Sequence, residues 1–320
     1  MKELPFGFGY PFFARVILPG QLGAASLLFL FGPLLQRMWP SLDGTDKLAL
    51  LGSAVLFVGM LAWILDTRIY WLYEGISWPR RIREAAKRRL QRRVTLAMQE
   101  AEVLSTTDDL AYAVVWDWLR RFPIGSDGIP RATRATELGN ILAAAESYPR
   151  SRYGMTSHFY WHRIWLSMDE QARSTIDRNA SRLDGTLYLS FVLLCSSCLY
   201  LIAAAIQLIL SFSAHATLPS IQSPEPLMIA GVLAALFSRV TYRWSLDLAG
   251  EKGEYYKSIF DVYRGKVTHM TAEITDSEKE LWEKTWRYLR YQQIHCRSCH
   301  KYYPASDEGC PHCSSSGVSR

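Results

Sequence analysis

The sequence lacks the short motifs that most often announce catalysis. Its 320 residues contain no Gly-x-Ser-x-Gly elbow, no Gly-x-x-x-x-Gly-Lys phosphate loop and no dinucleotide-binding glycine fingerprint, so the commonest hydrolase, nucleotidase and dehydrogenase signatures are missing. Cysteine is scarce. Of six residues, four lie near the C-terminus and two, Cys195 and Cys198, sit inside an apolar run. That distribution excludes a secreted disulfide framework and fits a reducing compartment. The first twenty residues, "MKELPFGFGYPFFARVILPG", lack a compact basic region followed by a short apolar run and a small-residue cleavage site. The first apolar run is therefore expected to be retained.

Charge is also missing, over long stretches. None occurs in the 21 residues between Arg15 and Arg37, nor in "LALLGSAVLFVGMLAWIL" between Lys47 and Asp66. Either run is long enough to cross a hydrocarbon core of about 30 Å. A third, "LYLSFVLLCSSCLYLIAAAIQLILSF", extends from Leu187 to Phe212. The fourth, "PLMIAGVLAALFS", reaches only to Arg239, but continues to Trp244 if Arg239 and Arg243 snorkel toward headgroups. Gly231 and Ala235, four apart on this run, are small enough to bring another helix close.

Lysine and arginine are absent from the connection "SFSAHATLPSIQSPEP" and sparse in "RMWPSLDGTDK", whereas "RIYWLYEGISWPRRIREAAKRRLQRR" is densely basic. The positive-inside rule then places both termini and the long middle segment in the cytoplasm. Trp39, Trp63, Trp71, Trp78 and Trp244 lie near span ends, as an aromatic belt requires. The net charge of +6 and pI near 9.0 follow from this asymmetry and do not by themselves imply nucleic acid.

The middle segment reads as helical. A run beginning near Pro79 carries Arg80, Arg81, Arg83, Lys87, Arg88, Arg89, Arg92 and Arg93 against Glu84, a composition suited to an anionic leaflet or to topology alone. Ile82, Ala86, Leu90, Val94 and Met98 trace one face at steps of four, interrupted by Arg83 and Arg93. "DDLAYAVVWDWLRRF" has its acids first and its arginines last, matching the helix dipole. "TELGNILAAAESY" predicts a further helix broken at Pro149. Ser167 and Glu170 have capping-box spacing, after which helical sequence can run into the third span. The fourth span can likewise continue through "SLDLAGEKGEYYKSIFDVYRGKV", unless Gly185, Gly250 or Gly253 breaks these helices.

"CRSCHKYYPASDEGCPHC" supplies the clearest chemistry. Cys296 and Cys299 form one C-x-x-C pair, and Cys310 and Cys313 another. Two such knuckles complete a tetrahedral thiolate set for Zn²⁺, with no open position for water, so the zinc is read as structural. The segment resembles zinc-ribbon modules. Arg297 and Lys301 are offset by Asp307 and Glu308, which argues against nucleic acid and for a protein contact.

Other candidates are weaker. His158 and His162 share a helix face but lack a third ligand, and Phe159, Tyr160, Trp161 and Trp165 around them suggest aromatic packing. Cys195 and Cys198 are read as small packing residues. Arg239 is the one cation whose position inside an apolar run is costly.

Two patches, "ELGNILAAAESYPRSRYGMTSHFYWHRIWLSM" and "YYKSIFDVYRGKV…EKELWEKTW", resemble a group of bacterial multi-pass membrane proteins of unassigned activity. Leu138, Gly139, Asn140, Arg152, Tyr153, Gly154, Arg163 and Trp165 carry the likeness. The resemblance implies location and architecture only. The residues themselves suggest that Asn140 bonds a neighbouring backbone and that Tyr153-Gly154 marks a turn.

The sequence thus predicts an all-α membrane protein. Its expected parts are an N-terminal transmembrane hairpin (1–66), a cytoplasmic helical region (67–186), a second hairpin (187–245), a helical extension (246–293) and a zinc-ribbon-like segment (294–320). No convergent acid, base and nucleophile set can be assembled, nor any small-molecule site. The favoured function is an inner-membrane scaffold or sensor that binds a protein partner or self-associates. The alternative is an oligomeric pore or transport component gated by its cytoplasmic part.

Overall fold

A computed structural model of the chain describes residues 9–38, 43–125, 128–214, 223–268, 293–295 and 302–304. Eleven helices run in chain order among them. They are α1 (Tyr10–Phe12), continued by a π-helical turn (Phe13–Ile17) into α2 (Leu18–Leu30), then α3 (Gly32–Met38), α4 (Gly44–Ile64), α5 (Asp66–Tyr73), α6 (Arg80–Leu104), α7 (Asp109–Leu119), α8 (Glu137–Tyr153), α9 (Ser157–Ser167), α10 (Glu170–Ala214) and α11 (Pro224–Thr268). The described residues outside helices include one short antiparallel ladder, β1 (Gln293–His295) with β2 (Tyr302–Pro304).

Four stretches are long and apolar enough to cross a membrane: Tyr10–Leu30, Gly44–Ile64, Glu170–Ser211 and Pro224–Val267. The last two belong to helices of 45 residues each, about 68 Å long at 1.5 Å per residue, more than twice a hydrocarbon core. Neither helix breaks at Gly185, Gly250 or Gly253.

The chain divides into two compact units. The first comprises Met1–Ala86, Arg134–Gly139 and Ser174–Lys252. Here α2 and α4 meet backbone to backbone. A Cβ on Gly20 would lie 2.1 Å from the Val55 carbonyl oxygen, and one on Gly59 would lie 2.1 Å from that of Val16. Only glycine fits this approach. Asp43 caps α4, its Oδ1 accepting the Asp46 N–H at 2.7 Å.

In the same unit α10 and α11 pair antiparallel through small residues spaced by seven. Ser190 and Ser238 exchange hydroxyl-to-carbonyl bonds of 2.9 Å, and Ser197 Oγ donates to the Gly231 carbonyl at 2.8 Å. Seven steps up one helix therefore match seven steps down the other, the spacing of a coiled-coil seam. The close-contact residues of α11 are Gly231, Ala234 and Ser238, whereas Ala235 is exposed. The expected Gly231–Ala235 pair is corrected accordingly: seam positions alternate three and four, and a step of four from Gly231 leaves the seam.

The second unit comprises Lys87–Thr133, Asn140–Arg173 and Gly253–Arg320. Leu90, Val94 and Ala101 of α6 pack with Leu119, Phe122 and Ala132. Ile82, placed on that apolar face by the sequence, is exposed instead. The face that is actually buried starts at Leu90. Further along, Trp161 of α9 stacks on Tyr256 of α11 with centroids 4.7 Å apart, and on Phe260 at 6.3 Å.

Two expected local features differ. Helix α8 does not stop at Pro149 but continues to Tyr153. The proline forfeits one bond to residue 145. Tyr148 and Tyr153, on either side of it, both donate to Asp261 Oδ1 and hold the final turn, which closes at Gly154 with φ +72°. The Ser167–Glu170 capping box does not form. Ser167 Oγ donates to the Ile164 carbonyl, and Asp169 caps α10 by accepting the Ala172 N–H at 2.7 Å. A carboxylate beside the first turn outcompetes a hydroxyl two residues earlier.

Candidate functional site

The first unit contains a polar cluster built by residues that flank its uncharged runs. Arg15, in the π-helical turn ahead of the uncharged run of α2, donates Nε to Asp184 Oδ2 at 2.8 Å, with Nη2 at 2.6 Å from the same oxygen. Tyr70, just past the second stretch, donates to Asp184 Oδ1 at 2.6 Å. Tyr188, on α10, donates to Asp66 Oδ1 at 2.7 Å. Lys252, on α11, lies 5.8 Å from the centre of the Tyr70 ring. Residues preceding the first and third uncharged runs and following the second and fourth thus converge, as an up-down-up-down arrangement requires.

The cluster's chemistry is that of a fastener. Asp184 is mostly buried, its side chain 11% exposed against 28% for Arg15, and both its oxygens accept bonds from other helices. A paired, hydrogen-bonded buried carboxylate is held in place by its partners and becomes a liability if one is removed. Sequence reading did not single out Arg15, Asp66, Tyr70 or Asp184. The available signal was the opposite sign of the charges bounding the apolar runs.

Other polar groups within the spans turn inward to the helices themselves. Ser196 donates to the Val192 carbonyl, Ser211 to that of Gln207, Thr241 to those of Phe237 and Ser238, and Tyr200 to that of Ser26. These bonds satisfy the hydroxyls within the bundle.

Arg239 and Arg243 are exposed and form no ion pair among the described residues. Arg239 therefore lies on the outer surface of α11. Trp63, Trp71 and Trp244 are exposed as well, with Arg68 stacked 4.9 Å from the Trp71 ring centre. Of the basic run, Arg80, Arg81, Arg88, Arg89, Arg92 and Arg93 are exposed, whereas Arg83 and Lys87 are half-buried. Arg83 Nη1 donates to the Ile76 carbonyl at 3.1 Å, and Arg93 lies over Trp118.

In the second unit, His158 and His162 are exposed, whereas between them Tyr160 is buried and Phe159 and Trp161 are half-buried. No group of three or more potential ligands able to hold a metal occurs among the described residues. Cys195 and Cys198 are free thiols on the outside of α10, so the packing role expected of them is not what the helix gives. Cys296, Cys299, Cys310 and Cys313 lie outside the described residues. Asn140 behaves as expected: fully buried, it accepts the Thr133 N–H at 2.7 Å. Burial, hydrogen bonding to one another and the Asp261 carboxylate push the Tyr148 hydroxyl up in pKa, and burial followed by the Asp261 bond does the same to Tyr153. These phenols are protonated donors at neutral pH, not bases.

α7 shows an apolar outer face. Leu110 is 78% exposed and Val114 is 67% exposed, four apart, and α6 exposes Leu96 and Val103, seven apart. Their opposite sides bury Leu119, Val94 and Ala101. Such a two-faced hairpin carries more apolar surface than its own fold uses.

No protein-family model matches the chain, and no curated protein or solved structure matches it.

Proposed function

We propose that the protein is an integral inner-membrane scaffold or sensor that recruits a protein partner on the cytoplasmic side. The observation that carries this reading is the exposed face of Leu110 and Val114 on α7. Two large apolar side chains at i and i+4 are the anchor pattern of helix-mediated recognition. Four apolar stretches long enough to cross a membrane support the membrane location, and the basic loops, read by the positive-inside rule, favour an orientation with both termini and the middle segment inside.

A structural Zn²⁺ held by Cys296, Cys299, Cys310 and Cys313 would form a second contact element. The antiparallel ladder of β1 and β2 supports this reading: in the sequence Cys296 and Cys299 fall between these two strands, the spacing expected of a zinc knuckle. The basic run from Arg80 to Arg93 would sit against anionic headgroups. The pore reading lacks comparable support, since the span hydroxyls already serve the helix backbone.

Two experiments test the proposal. A photo-crosslinking amino acid placed at Leu110 or Val114 in the cells that make the protein should yield one discrete protein adduct, lost in Leu110→Glu/Val114→Glu. Adducts only to lipid would replace the partner with the membrane surface. Purified full-length protein should carry one zinc per chain, lost in Cys296→Ser/Cys299→Ser while membrane insertion persists. A wild-type protein without zinc sinks the metal assignment.

A further inference from the structure

The first unit contains a half-open groove of about 200 Å³ between α2, α4 and α10. Gly23 and Leu27 line it from α2, Val58 and Leu61 from α4, and Phe191 and Leu199 from α10. Its origin is a mismatch of side-chain size. A Cβ on Gly23 would lie 2.4 Å from Val58 Cγ1, so the glycine lets the helices close. Beside that contact Ser26, Ala62 and Ser196 are too small to fill the space. Leu27, Leu61 and Leu199 form the mouth, each more than a third exposed.

The wall excludes most ligand classes. No charged side chain lines it. The Tyr200 hydroxyl is taken by the Ser26 carbonyl at 3.0 Å, and the Ser196 hydroxyl by that of Val192 at 2.8 Å. The Ser26 hydroxyl and the Cys195 thiol remain, too little to orient a polar headgroup. Hollows of this composition stay dry and take apolar guests. From Phe191 to Leu199 the α10 wall is about 12 Å long, a slot for an extended methylene chain. Around the mouth the span surfaces are themselves apolar and exposed: Phe29, Ile202 and Ile206 on the neighbouring turns.

We propose that this groove seats one acyl chain of a membrane phospholipid, the headgroup remaining at the interface. The inference rests on the reading of these helices as membrane spans. A hydrocarbon solvent delivers chains to any mouth that opens on it, and a slot walled on three sides gains dispersion contacts that a smooth helix face cannot offer.

The test uses the full-length protein in vesicles containing a phospholipid with a photoactivatable diazirine at mid-chain, with adducts mapped by mass spectrometry. Labelling should concentrate on residues 191–199 and Leu27, several-fold above Phe57, Ile229 and Phe237, which are exposed on the same unit. Leu199→Trp, which blocks the mouth at an exposed position, and Ala62→Phe, which fills the slot, should each reduce groove labelling several-fold and leave Phe237 labelling unchanged. Labelling spread evenly over all exposed positions overturns the groove and leaves the spans intact. Quantitative disulfide formation between two copies at Cys195 in wild-type vesicles assigns the groove to a second chain and overturns the lipid. Vesicles that label none of these residues overturn the membrane reading itself.

Discussion

Asp184 ties together three helices with one carboxylate, and the cost of losing it is calculable in direction. Replacing it with asparagine leaves the Arg15 guanidinium half-buried without its counter-charge, which typically destabilises by about 3–5 kcal/mol. The nearby pair Arg182–Glu251, 3.4 Å apart with both side chains well exposed, is worth at most about 1 kcal/mol. Thermal unfolding of the purified protein in detergent should rank Asp184→Asn far below Glu251→Gln; equal midpoints would mean that water reaches the cluster. Gly59→Ala should lower the midpoint by an overpacking cost of about 1–3 kcal/mol, because the added carbon meets the Val16 carbonyl. Some of this was legible in the sequence. Asn140 in an apolar helix and Gly154 after Tyr153 announce a backbone bond and a turn by local chemistry alone. Arg15 and Asp184 are 169 positions apart, and nothing local to either names the other.

Elements obey competition between neighbours more than the motif nearest to hand. The start of α10 shows this at Asp169. Its carboxyl is held below the usual carboxylate range, first by the hydroxyl of Tyr263 and then by the Ala172 N–H. The unfolded chain binds this proton more readily than the folded one, so the stabilisation is fully present above an ordinary carboxylate value of about 4. It fades as pH falls through the lowered folded value. Asp169→Asn should flatten the acid limb of a stability-against-pH curve by lowering the neutral region, where the contribution is fully present, while leaving the most acid end nearly unchanged. An unchanged acid limb would assign the slope to other carboxylates. The sequence marked Ser167 as the cap because spacing rules see only the side chain and its offset. They do not see Tyr263, which arrives from α11 to orient the aspartate. Pro149 is similar: in isolation it ends a helix, and here two tyrosines bonded to Asp261 carry α8 beyond it.

At the scale of the whole molecule the apolar runs were the most readable feature, since a bilayer imposes length and charge depletion on any span. The contacts between spans were not, because small residues are common in apolar helices and only their register gives them meaning. Topology gives the broadest prediction. A cysteine introduced at Thr217 in a background lacking Cys195 and Cys198 should react with an impermeant maleimide added outside intact spheroplasts. One at Asp109 should react only after permeabilisation; the reverse pattern would invert the protein. The seven-residue seam of α10 and α11 carries a further consequence. It works as a ruler whose marks are all alike. Slid by one mark, Ser197 would meet Ser238 and Ser190 would meet Ser245, and the fit of small against small would survive. The seam alone therefore fixes the face of contact and leaves the setting free. Leu183 and the Tyr73 hydroxyl, 2.8 Å from Ser190 Oγ, number the marks: a slide of about 10.5 Å would carry the buried Leu183 against Lys252 and separate Ser238 from Tyr73. A pair of helices written in this way holds its position by two or three side chains rather than by its whole length, and those few are where a change of setting would have to begin.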